Sequence, residues 1–397
     1  MIRHLEKVLV VLLVFLFPTQ LAIHFWPSWA FVFGIRIDYL SPTIYLTDLL
    51  IIPLLFFGYK GIFRYKKYLF LFIMVALVNI YFSTNQMVSL YKWIKILEIG
   101  MLSLYFSQKL KFVGKVLILN TLFASLCFFS VIGIAQFLLS NTIGGLLYWL
   151  GERSFTISTP GIALYRLFGT EVLRAYSTFP HPNALAGFLG VSVIFLLTKG
   201  YFKKKNKLPW LLLVVSCFLL TFSLSAVLGA TFVLIAGVLA KNSNKLIKLT
   251  NYILVMIVSL SLLLPLIAST PNMKLYFSKN ITERLDLAAI SGKVIGQHFW
   301  TGSGFGTFII NMVKIKPAET SSWLLQPVHN IFLLIFGETG IFGLYILALY
   351  FSKSLKIYPL VFLFILITGF MDHYWLDSQQ NLLLISLISG LAFKQKK

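Results

Sequence analysis

The sequence predicts an all-α integral membrane protein with about 12 transmembrane helices, and two observations carry this fold class. Of its 397 residues, 58% are hydrophobic and only 12% are charged, with a mean hydropathy of +0.88, far from the composition of a soluble domain. Apolar stretches of about 15 to 25 residues, the length that crosses a bilayer, recur along the whole chain. We therefore expect residues 1–397 to form a single multi-span membrane domain.

The predicted spans are placed on these apolar stretches. The first, MIRHLEKVLVVLLVFLFPTQLA, is taken as a retained first helix rather than a cleaved signal peptide, because many spans follow it. Residues 208–240 are too long for one ordinary helix and carry the polar run TFSLS, so a hairpin of two short spans is predicted there. The expected spans lie near residues 7–26, 40–58, 68–83, 93–108, 113–139, 183–198, 208–222, 226–240, 252–268, 330–350, 359–371 and 381–393.

The basic residues predict the orientation of the chain. Lysine and arginine accumulate in short cytoplasmic loops, and most lysines here fall in loops that share one side with both termini. We therefore expect a cytoplasmic (inner or plasma) membrane protein with both termini cytoplasmic. Topology accounts for most of the net charge of +22. Because the basic residues are dispersed rather than clustered with aromatics, nucleic-acid binding is not expected.

The opposite, external face collects the side chains suited to chemistry. Arginine binds phosphate through a rigid bidentate fork, and imidazole transfers protons near neutral pH. Five arginines and five of the six histidines fall on or near this face: Arg36, Arg153, Arg166, Arg174, Arg284, His24, His181, His298, His329 and His373.

Two long external loops, residues 140–182 and 269–329, carry most of the polar sequence, and the other external connections are expected to be short. Loops of this length usually have a function of their own. In the second loop, apolar residues at helical spacing predict an amphipathic helix on the outer membrane surface. These residues are Ile281, Leu285, Ala288, Ala289 and Ile295.

Two stretches on this face have both a structural and a functional interpretation. In RAYSTFPHPNALAGFLG, prolines flank His181, and Asn183 supplies a helix N-cap. In FWTGSGFGTFI, Gly302 and Gly304 indicate a tight turn, although glycines also let a polar substrate approach the backbone. The glycine spacing is not that of a dinucleotide-binding fingerprint.

The stretch QPVHNIFLLIFGETGIFGLYIL places His329 and Asn330 at the mouth of a span and Glu338 two turns deeper. A polar residue at a helix mouth is often only a cap or an interfacial anchor. An ionisable side chain at the depth of Glu338 is costly unless it is paired or faces the protein interior, so it is a functional candidate. Glu98 is expected to pair with Lys95 or with a neighbouring helix.

Near the C-terminus, GFMDHYWLDSQQNLLL places Asp372, His373, Asp377 and Gln379 in the short turn between the last two spans. No second ligand set at a recognisable spacing accompanies Asp372 and His373. We therefore expect no tightly bound zinc and no cofactor.

In this order on a chain of many spans, these stretches resemble the bacterial O-antigen ligase and polysaccharide polymerase superfamily. The resemblance rests on STFPHPNALAGFL, TFSLSAVLGA, ITERLDL followed by GSGFGTF, and VHNIFLLIFGETGIFGL. It implies a membrane glycosyltransferase that moves an oligosaccharide or polysaccharide from an undecaprenyl-pyrophosphate carrier to a sugar hydroxyl at the outer face of the membrane. The implied partners are a lipid-linked oligosaccharide donor, a glycan or glycolipid acceptor and envelope-glycan assembly proteins.

The resemblance also implies roles for individual residues. His329 takes the position of the base that removes the acceptor's proton, and Arg174 and Arg284 are the catalytic cations that neutralise the leaving pyrophosphate. Substrate-binding roles are expected for Asn330, His181, Asn183, Arg166, Arg153, Gly302, Gly304 and Glu338.

One departure from the family bears on these roles. The family commonly has an arginine in the hairpin between the seventh and eighth spans, where this chain has Leu224. Either Arg153, Arg166 or Arg174 supplies the missing charge, or the pyrophosphate is held differently, or the protein binds the carrier without catalysis. A transporter or flippase of lipid-linked sugars is the alternative from another class, although the internal repeat typical of transporters is not evident.

Overall fold

Helices make up most of the protein, and the computed structural model describes residues 2–203, 205–240, 242–270, 279–316 and 325–394. The helices are α1 (Ile2–Phe15), α2 (Leu46–Ile62), α3 (Lys66–Tyr81), α4 (Gln86–Val113), α5 (Lys115–Leu139), α6 (Pro182–Thr198), α7 (Leu208–Leu220), α8 (Leu224–Leu239), α9 (Ser243–Ala268), α10 (Lys279–Gln297), α11 (Phe308–Ile315), α12 (Ile331–Leu355), α13 (Pro359–Met371), α14 (Tyr374–Asp377) and α15 (Gln379–Lys394). Three short antiparallel pairs join β1 (Ala22–His24) to β4 (Thr43–Tyr45), β2 (Phe31–Val32) to β3 (Ile35–Arg36), and β5 (Leu164–Leu167) to β6 (Thr170–Leu173). The predicted helical class is confirmed, and the described part of the chain adds three small two-stranded antiparallel sheets to it.

Each predicted span overlaps a helix, namely α1 to α9, α12, α13 and α15. Among the residues that the structure describes, four helical stretches are long and apolar enough by themselves to cross a bilayer: Leu46–Tyr81, Lys115–Leu139, Ser243–Ala268 and Ile331–Leu355. Shorter apolar helices accompany them. The protein is therefore a multi-pass membrane protein, while the number of about twelve crossings stays a prediction.

The helical hairpin predicted within residues 208–240 is present. α7 ends at Leu220 and α8 begins at Leu224, and Phe222 between them has a φ of +47°. The hydroxyl of Thr221 donates to the carbonyl of Phe218 at 2.6 Å, a local hydrogen bond of the kind that competes with a continuing helix. The polar run was therefore a correct signal for the break.

The predicted boundaries of the first two spans are wrong, because α1 stops at Phe15 and α2 starts only at Leu46. Residues 19–45, called the 19–45 segment below, instead form β1 to β4 with short turns of 3-10 helix. Its Ile37 and Leu40 are buried in a cluster with α10 and α11. Hydropathy assigned Leu40 to a membrane span, whereas it packs against protein.

The helix predicted in the second long loop is present as α10, but its predicted position on the outer membrane surface is wrong, because its apolar face packs against other helices. Its Leu285, Ala288 and Val294 are buried, and the helix packs against α9 and α12. Gly292 allows the close approach to α9, because an added Cβ would lie 2.7 Å from Cβ of Pro265. The apolar face of α10 is therefore covered by the helix bundle.

Several helix ends meet at one end of this bundle. Asn183 in the first turn of α6 bonds to Asp372 just after α13, and Asn330 before α12 bonds to the carbonyl of Phe370. α15 begins close by at Gln379 and packs along α4. Polar side chains from distant parts of the sequence are thereby brought together at this end.

Asn79 in α3 bonds to residues 301–306, called the glycine-rich turn below. Its amide nitrogen donates to the carbonyls of Thr301 at 2.7 Å and Glu338 at 2.9 Å. Its Oδ1 accepts from Nε1 of Trp93 at 2.8 Å and from the backbone N–H of Phe305 at 2.9 Å. This buried side chain therefore satisfies four partners at once.

Replacement of Asn79 by alanine should destabilise the protein. The N–H groups of Trp93 and Phe305 would lose their acceptor, which costs about 1–3 kcal/mol for each buried group. We expect a lower midpoint of thermal unfolding in detergent, measured by circular dichroism. Asn120→Ala is the matched control, since Asn120 is exposed and accepts only from Tyr201 among the described residues. Equal midpoints for the two variants would contradict this role.

Candidate functional site

A cavity of about 530 Å³ lies among the helix ends at this end of the bundle. Its wall is built from the 19–45 segment, α4, the first long loop, α10 and the residues around α12 to α15. The predicted site residues that line it are His329, Arg284, Asn183, His181 and Arg153. The fold therefore brings together side chains separated by more than a hundred positions in the sequence.

The buried carboxylate of Asp372 lies at the centre of a polar network. Nδ2 of Asn183 donates to Oδ2 at 2.8 Å, the backbone N–H of His373 donates to Oδ1 at 2.8 Å, and Nδ1 of His329 lies 3.4 Å from Oδ1. Burial alone would raise the pKa of Asp372, but the hydrogen bond from His329 and the charges of His329, His373 and Arg284 hold it well below its usual range. Asp372 is therefore a fixed negative charge at neutral pH.

His329 is oriented by this carboxylate. If Nδ1 carries the proton that faces Asp372, Nε2 keeps a free lone pair. Burial lowers the pKa of His329, the hydrogen bond and charge of Asp372 raise it, and the charges of His373 and Arg284 lower it again. Since the net shift is downward, His329 is neutral at pH 7 and able to accept a proton.

A second imidazole, His373, lies beside the first, with ring centroids 5.1 Å apart. Its Nδ1 is 2.7 Å from Oδ2 of Asp377, and the ring of Tyr39 packs edge-on against it at 5.5 Å. Burial lowers the pKa of His373, but the hydrogen bond and charge of Asp377 outweigh this and raise it. Neighbouring groups whose pKa values are shifted in opposite directions are typical of acid–base sites.

His329, Asp372 and His373 each offer one donor atom, and these atoms lie within 4.8 Å of one another. By type and distance such a set could hold a divalent metal, a grouping that the sequence spacing does not reveal. However, Asp372 already accepts from Asn183 and from the His373 backbone, and Nδ1 of His373 is bound to Asp377. The geometry fits a hydrogen-bonded network, and the expected absence of zinc stays a prediction.

Arg284 supplies a cation to the cavity wall from α10. It donates from Nη1 to the backbone carbonyl of Met371 at 2.8 Å. Because that carbonyl belongs to the last residue of α13, the guanidinium lies at the negative end of a helix dipole, a favourable position for a cation. This contact fixes Arg284 close to the Asp372 network.

Arg174 lies one side chain behind the cavity wall. It donates from Nη2 to Oδ1 of Asn183 at 2.7 Å and from Nε to the carbonyl of Thr221 at 2.6 Å. Leu224, which follows in the same hairpin, is 68% exposed. Of the arginines considered as replacements for the family's hairpin arginine, Arg174 is therefore the one bonded to the hairpin turn.

Arg153, Arg166 and His181 occupy different positions in the first long loop. Arg153 lines the cavity and donates to the carbonyl of Pro180 at 3.1 Å. His181 lines it at an exposed position and caps α6, with Nδ1 accepting from the backbone N–H of Asn183 at 3.1 Å. Arg166 is exposed on β5 and is not part of the wall.

Asn330 does not line the cavity. Its Oδ1 caps α12 by accepting from two backbone N–H groups, and its Nδ2 donates to Oγ of Ser261 at 2.9 Å and to the carbonyl of Phe370 at 3.2 Å. These contacts use the whole buried amide. The geometry therefore favours a role in holding the start of α12, and with it His329, over a direct substrate contact.

Glu338, Gly302 and Gly304 also lie away from the cavity wall. Glu338 accepts from the backbone N–H of Phe308 through Oε1 at 3.0 Å and from that of Gly304 through its backbone carbonyl at 3.0 Å. An added Cβ at Gly302 would lie 2.3 Å from the Glu338 backbone, and one at Gly304 would lie 1.9 Å from Oγ of Ser83. These residues build a tightly packed turn, as their structural interpretation predicts.

Sequence reasoning missed part of the cavity wall. Asp38 and Tyr39 come from the 19–45 segment, which was expected to be lipid-spanning or short. Lys92 and Lys95 come from the start of α4, at the edge of a predicted span. Lys95 pairs with Glu98 at 3.0 Å, as predicted. The polar motif DHYWLD was the signal for the Asp372 network, but its partners are remote in sequence.

Residues 183–348 match the family model described as O-Antigen ligase. No curated protein sequence matches the chain significantly. The matched segment is less than half of the chain and contains Asn183, Arg284 and His329, while Asp372 and the wall from the 19–45 segment lie outside it. The match confirms the resemblance inferred from the motifs.

Replacement of Asp372 by asparagine should lower the pKa of His329 further. The change removes the hydrogen bond and the charge that raise this pKa, whereas the burial that lowers it remains. The pKa is measured by pH titration of the imidazole NMR signals. Asp377→Asn is the control, because it should lower the pKa of His373 instead. An unchanged His329 pKa in Asp372→Asn would refute the pairing.

Proposed function

We propose that this protein is a lipid-linked oligosaccharide-dependent glycosyltransferase. The premise is that residues 183–348 are an O-antigen ligase domain and that the chain belongs to this superfamily of membrane proteins. The donor would be an oligosaccharide or polysaccharide on undecaprenyl pyrophosphate, and the acceptor a sugar hydroxyl of a glycan or glycolipid. The activity would be that of a polymerase or ligase for O-antigen of lipopolysaccharide or for exopolysaccharide. One observation carries the proposal: the neutral base His329 and the cation Arg284 line the same cavity.

His329 is proposed as the general base. As the acceptor hydroxyl attacks the anomeric carbon, its proton passes to Nε2, and the imidazolium that forms faces the negative charge of Asp372. Asp372 thus stabilises the charge that develops, in the manner of a carboxylate behind a catalytic histidine. Asn330 holds the helix start that carries His329.

Arg284 is proposed to stabilise the leaving group. When the bond from the anomeric carbon to the pyrophosphate oxygen breaks, negative charge grows on that oxygen, and a guanidinium fixed in advance stabilises it. Arg174 would act through its bond to Asn183, holding that amide in the wall and adding positive charge behind it. Arg153 and His181 would contact substrate at the loop side.

The position of the cavity supports this chemistry. It lies at the end of the bundle where the two long loops and the 19–45 segment meet, and positive-inside counting places that end outside the cytoplasmic membrane. Lipid-linked donors exposed at the outer leaflet would reach it without crossing the bilayer. The polar groups lie at one end of the helix bundle. Glycan transfer at the membrane surface explains this position better than the alternating access of a transporter does.

Replacement of His329 or Arg284 by alanine should abolish most transfer. We expect a loss of about 10²-fold or more for either variant, the usual effect of removing a general base or an oxyanion-stabilising group. The assay follows high-molecular-weight glycan made in liposomes from the polyprenyl-pyrophosphate oligosaccharide pool of the native host. His298→Ala and Arg36→Ala are the matched controls, since neither residue lines the cavity.

Full transfer by folded His329→Ala would exclude the proposed base. A wild-type protein that binds the lipid carrier but forms no glycan product would exclude the transferase itself and favour a binder or transporter of lipid-linked sugars.

The pH dependence of transfer should report the lowered pKa of His329. A base acts in its neutral form, so lowering its pKa preserves activity as the pH falls through about 6.5, the usual imidazole value, and activity is lost only at lower pH. Transfer rates measured between pH 5 and pH 8 test this. Half-maximal activity at or above the usual imidazole pKa would contradict it.

A further inference from the structure

The glycine-rich turn has a role beyond tight packing, because it borders Lys92 of α4. Gly302, Gly304 and Gly306 have φ values of +74°, +107° and +81°. A Cβ added at Gly306 would lie 2.6 Å from Cγ and 3.2 Å from Cε of Lys92. The aliphatic stem of Lys92 therefore lies directly on the backbone of this turn, in space that any larger residue would occupy.

That backbone is rigidly held. The N–H groups of Ser303 and Gly304 donate to the carbonyls of Gly337 and Glu338 at 2.9 and 3.0 Å, and Phe305 N–H donates to Asn79 at 2.9 Å. The surface on which the Lys92 stem lies is thus fixed by α3 and α12, so the long side chain has fewer conformations to lose on binding a ligand.

Lys92 and Lys95 both line the cavity, but their charges are used differently. Lys95 forms ion pairs with Asp48 at 2.6 Å and with Glu98 at 3.0 Å. Lys92 forms no hydrogen bond or ion pair with the residues that the structure describes. Its ammonium group is therefore available to a ligand, whereas that of Lys95 is neutralised within the helix bundle.

The wall carries four basic residues and four acidic ones, so the charge offered to a ligand depends on which of them lack a partner; they are Lys92, Lys95, Arg153, Arg284, Asp38, Glu152, Asp372 and Asp377. Arg284 and Arg153 bond to backbone carbonyls, which leaves their positive charges uncompensated by a direct ion pair in the described part of the chain. Asp372 and Asp377 contact His329 and His373. The buried carboxylate of Glu152 accepts from the amide of Gln136 and from two backbone N–H groups, whereas Asp38 is exposed. Lys92 thus adds a third cation to a cavity whose buried carboxylates already have partners.

We propose that Lys92 is an anion-binding residue of this cavity and that its ammonium group binds a negatively charged group of the lipid-linked glycan. The identity of the ligand rests on the proposed function. The negative charge belongs either to the pyrophosphate of the carrier or to an acidic sugar of the glycan. Lys92 lies outside the matched family segment, so this contact assigns a substrate-binding role to the N-terminal half of the chain.

The test compares Lys92→Gln, Lys92→Arg and Lys293→Gln in full-length protein. Lys293 is exposed on α10 and is not part of the cavity wall, so its variant controls for the loss of one positive charge. Thermal unfolding in detergent establishes that each variant is folded. Lys92→Arg retains the charge and should keep most of the affinity if Lys92→Gln loses it.

Two measurements distinguish the sources of the anion. The first is the dissociation constant for undecaprenyl pyrophosphate without sugar, and the second is the KM for the native lipid-linked oligosaccharide in transfer. Loss of a charge-assisted hydrogen bond predicts a rise of about tenfold or more. A rise in both quantities for Lys92→Gln identifies the pyrophosphate, and a rise in KM alone identifies an acidic sugar.

Unchanged values of both quantities in folded Lys92→Gln, or equal changes in Lys293→Gln, would overturn the proposal. Failure of the proposed function gives a different result. Wild-type protein would then form no glycan product, while its affinity for undecaprenyl pyrophosphate or for the native lipid-linked oligosaccharide would still depend on Lys92.

Discussion

The buried carboxylate of Asp372 is the group on which the geometry of the cavity depends. An isolated charge at such a site costs several kcal/mol, and here the cost is offset by donors from Asn183 and His373 and by the contact with His329. Asn183 lies in the first turn of α6, and His373 follows the end of α13. His329 directly precedes Asn330, which is the N-cap of α12. The same contacts that satisfy the charge therefore align three helix ends and set the proton state of the imidazole.

A second constraint fixes α12 from its other side. The helix is broken at Gly340, whose φ is +70°, and an added Cβ there would lie 2.1 Å from the carbonyl oxygen of Trp300. The N–H of Ile341 donates to the carbonyl of Phe299 at 2.9 Å, so the glycine-rich turn packs into the break. The first half of α12 is thus held at Asn330 and at Gly340, which keeps His329 in place. The same half-helix contacts the glycine-rich turn on which Lys92 lies.

Hydropathy was sufficient to predict where most helices lie, because a bilayer requires long apolar stretches whatever their neighbours are. It failed for the 19–45 segment, since Ile37 and Leu40 are as apolar as a lipid-facing residue but are buried by α10 and α11. Capping chemistry is local, so the cap at Asn330 could be predicted from a short motif. The predicted N-cap at Asn183 is wrong, because His181 is the N-cap of α6 and the side chain of Asn183 bonds to Asp372 instead.

The site was only partly predictable, because its contacts join residues that lie far apart in the sequence. Asp372 meets Asn183 and His329 across long separations in sequence, and no local pattern encodes such a meeting. Glu338 was correctly singled out as a costly buried group, but its partners turned out to be the backbone of a packed turn rather than the cavity. Burial identifies an ionisable residue that needs a partner, and only the fold shows which partner it has.

A cryo-EM structure of the protein in nanodiscs with an undecaprenyl-pyrophosphate oligosaccharide bound would test most directly whether donor transfer takes place in this cavity. We expect the pyrophosphate to lie against Arg284, with the anomeric carbon in the cavity and a path for the acceptor oxygen to Nε2 of His329. A donor bound with its pyrophosphate outside this cavity, and out of reach of His329, would contradict it.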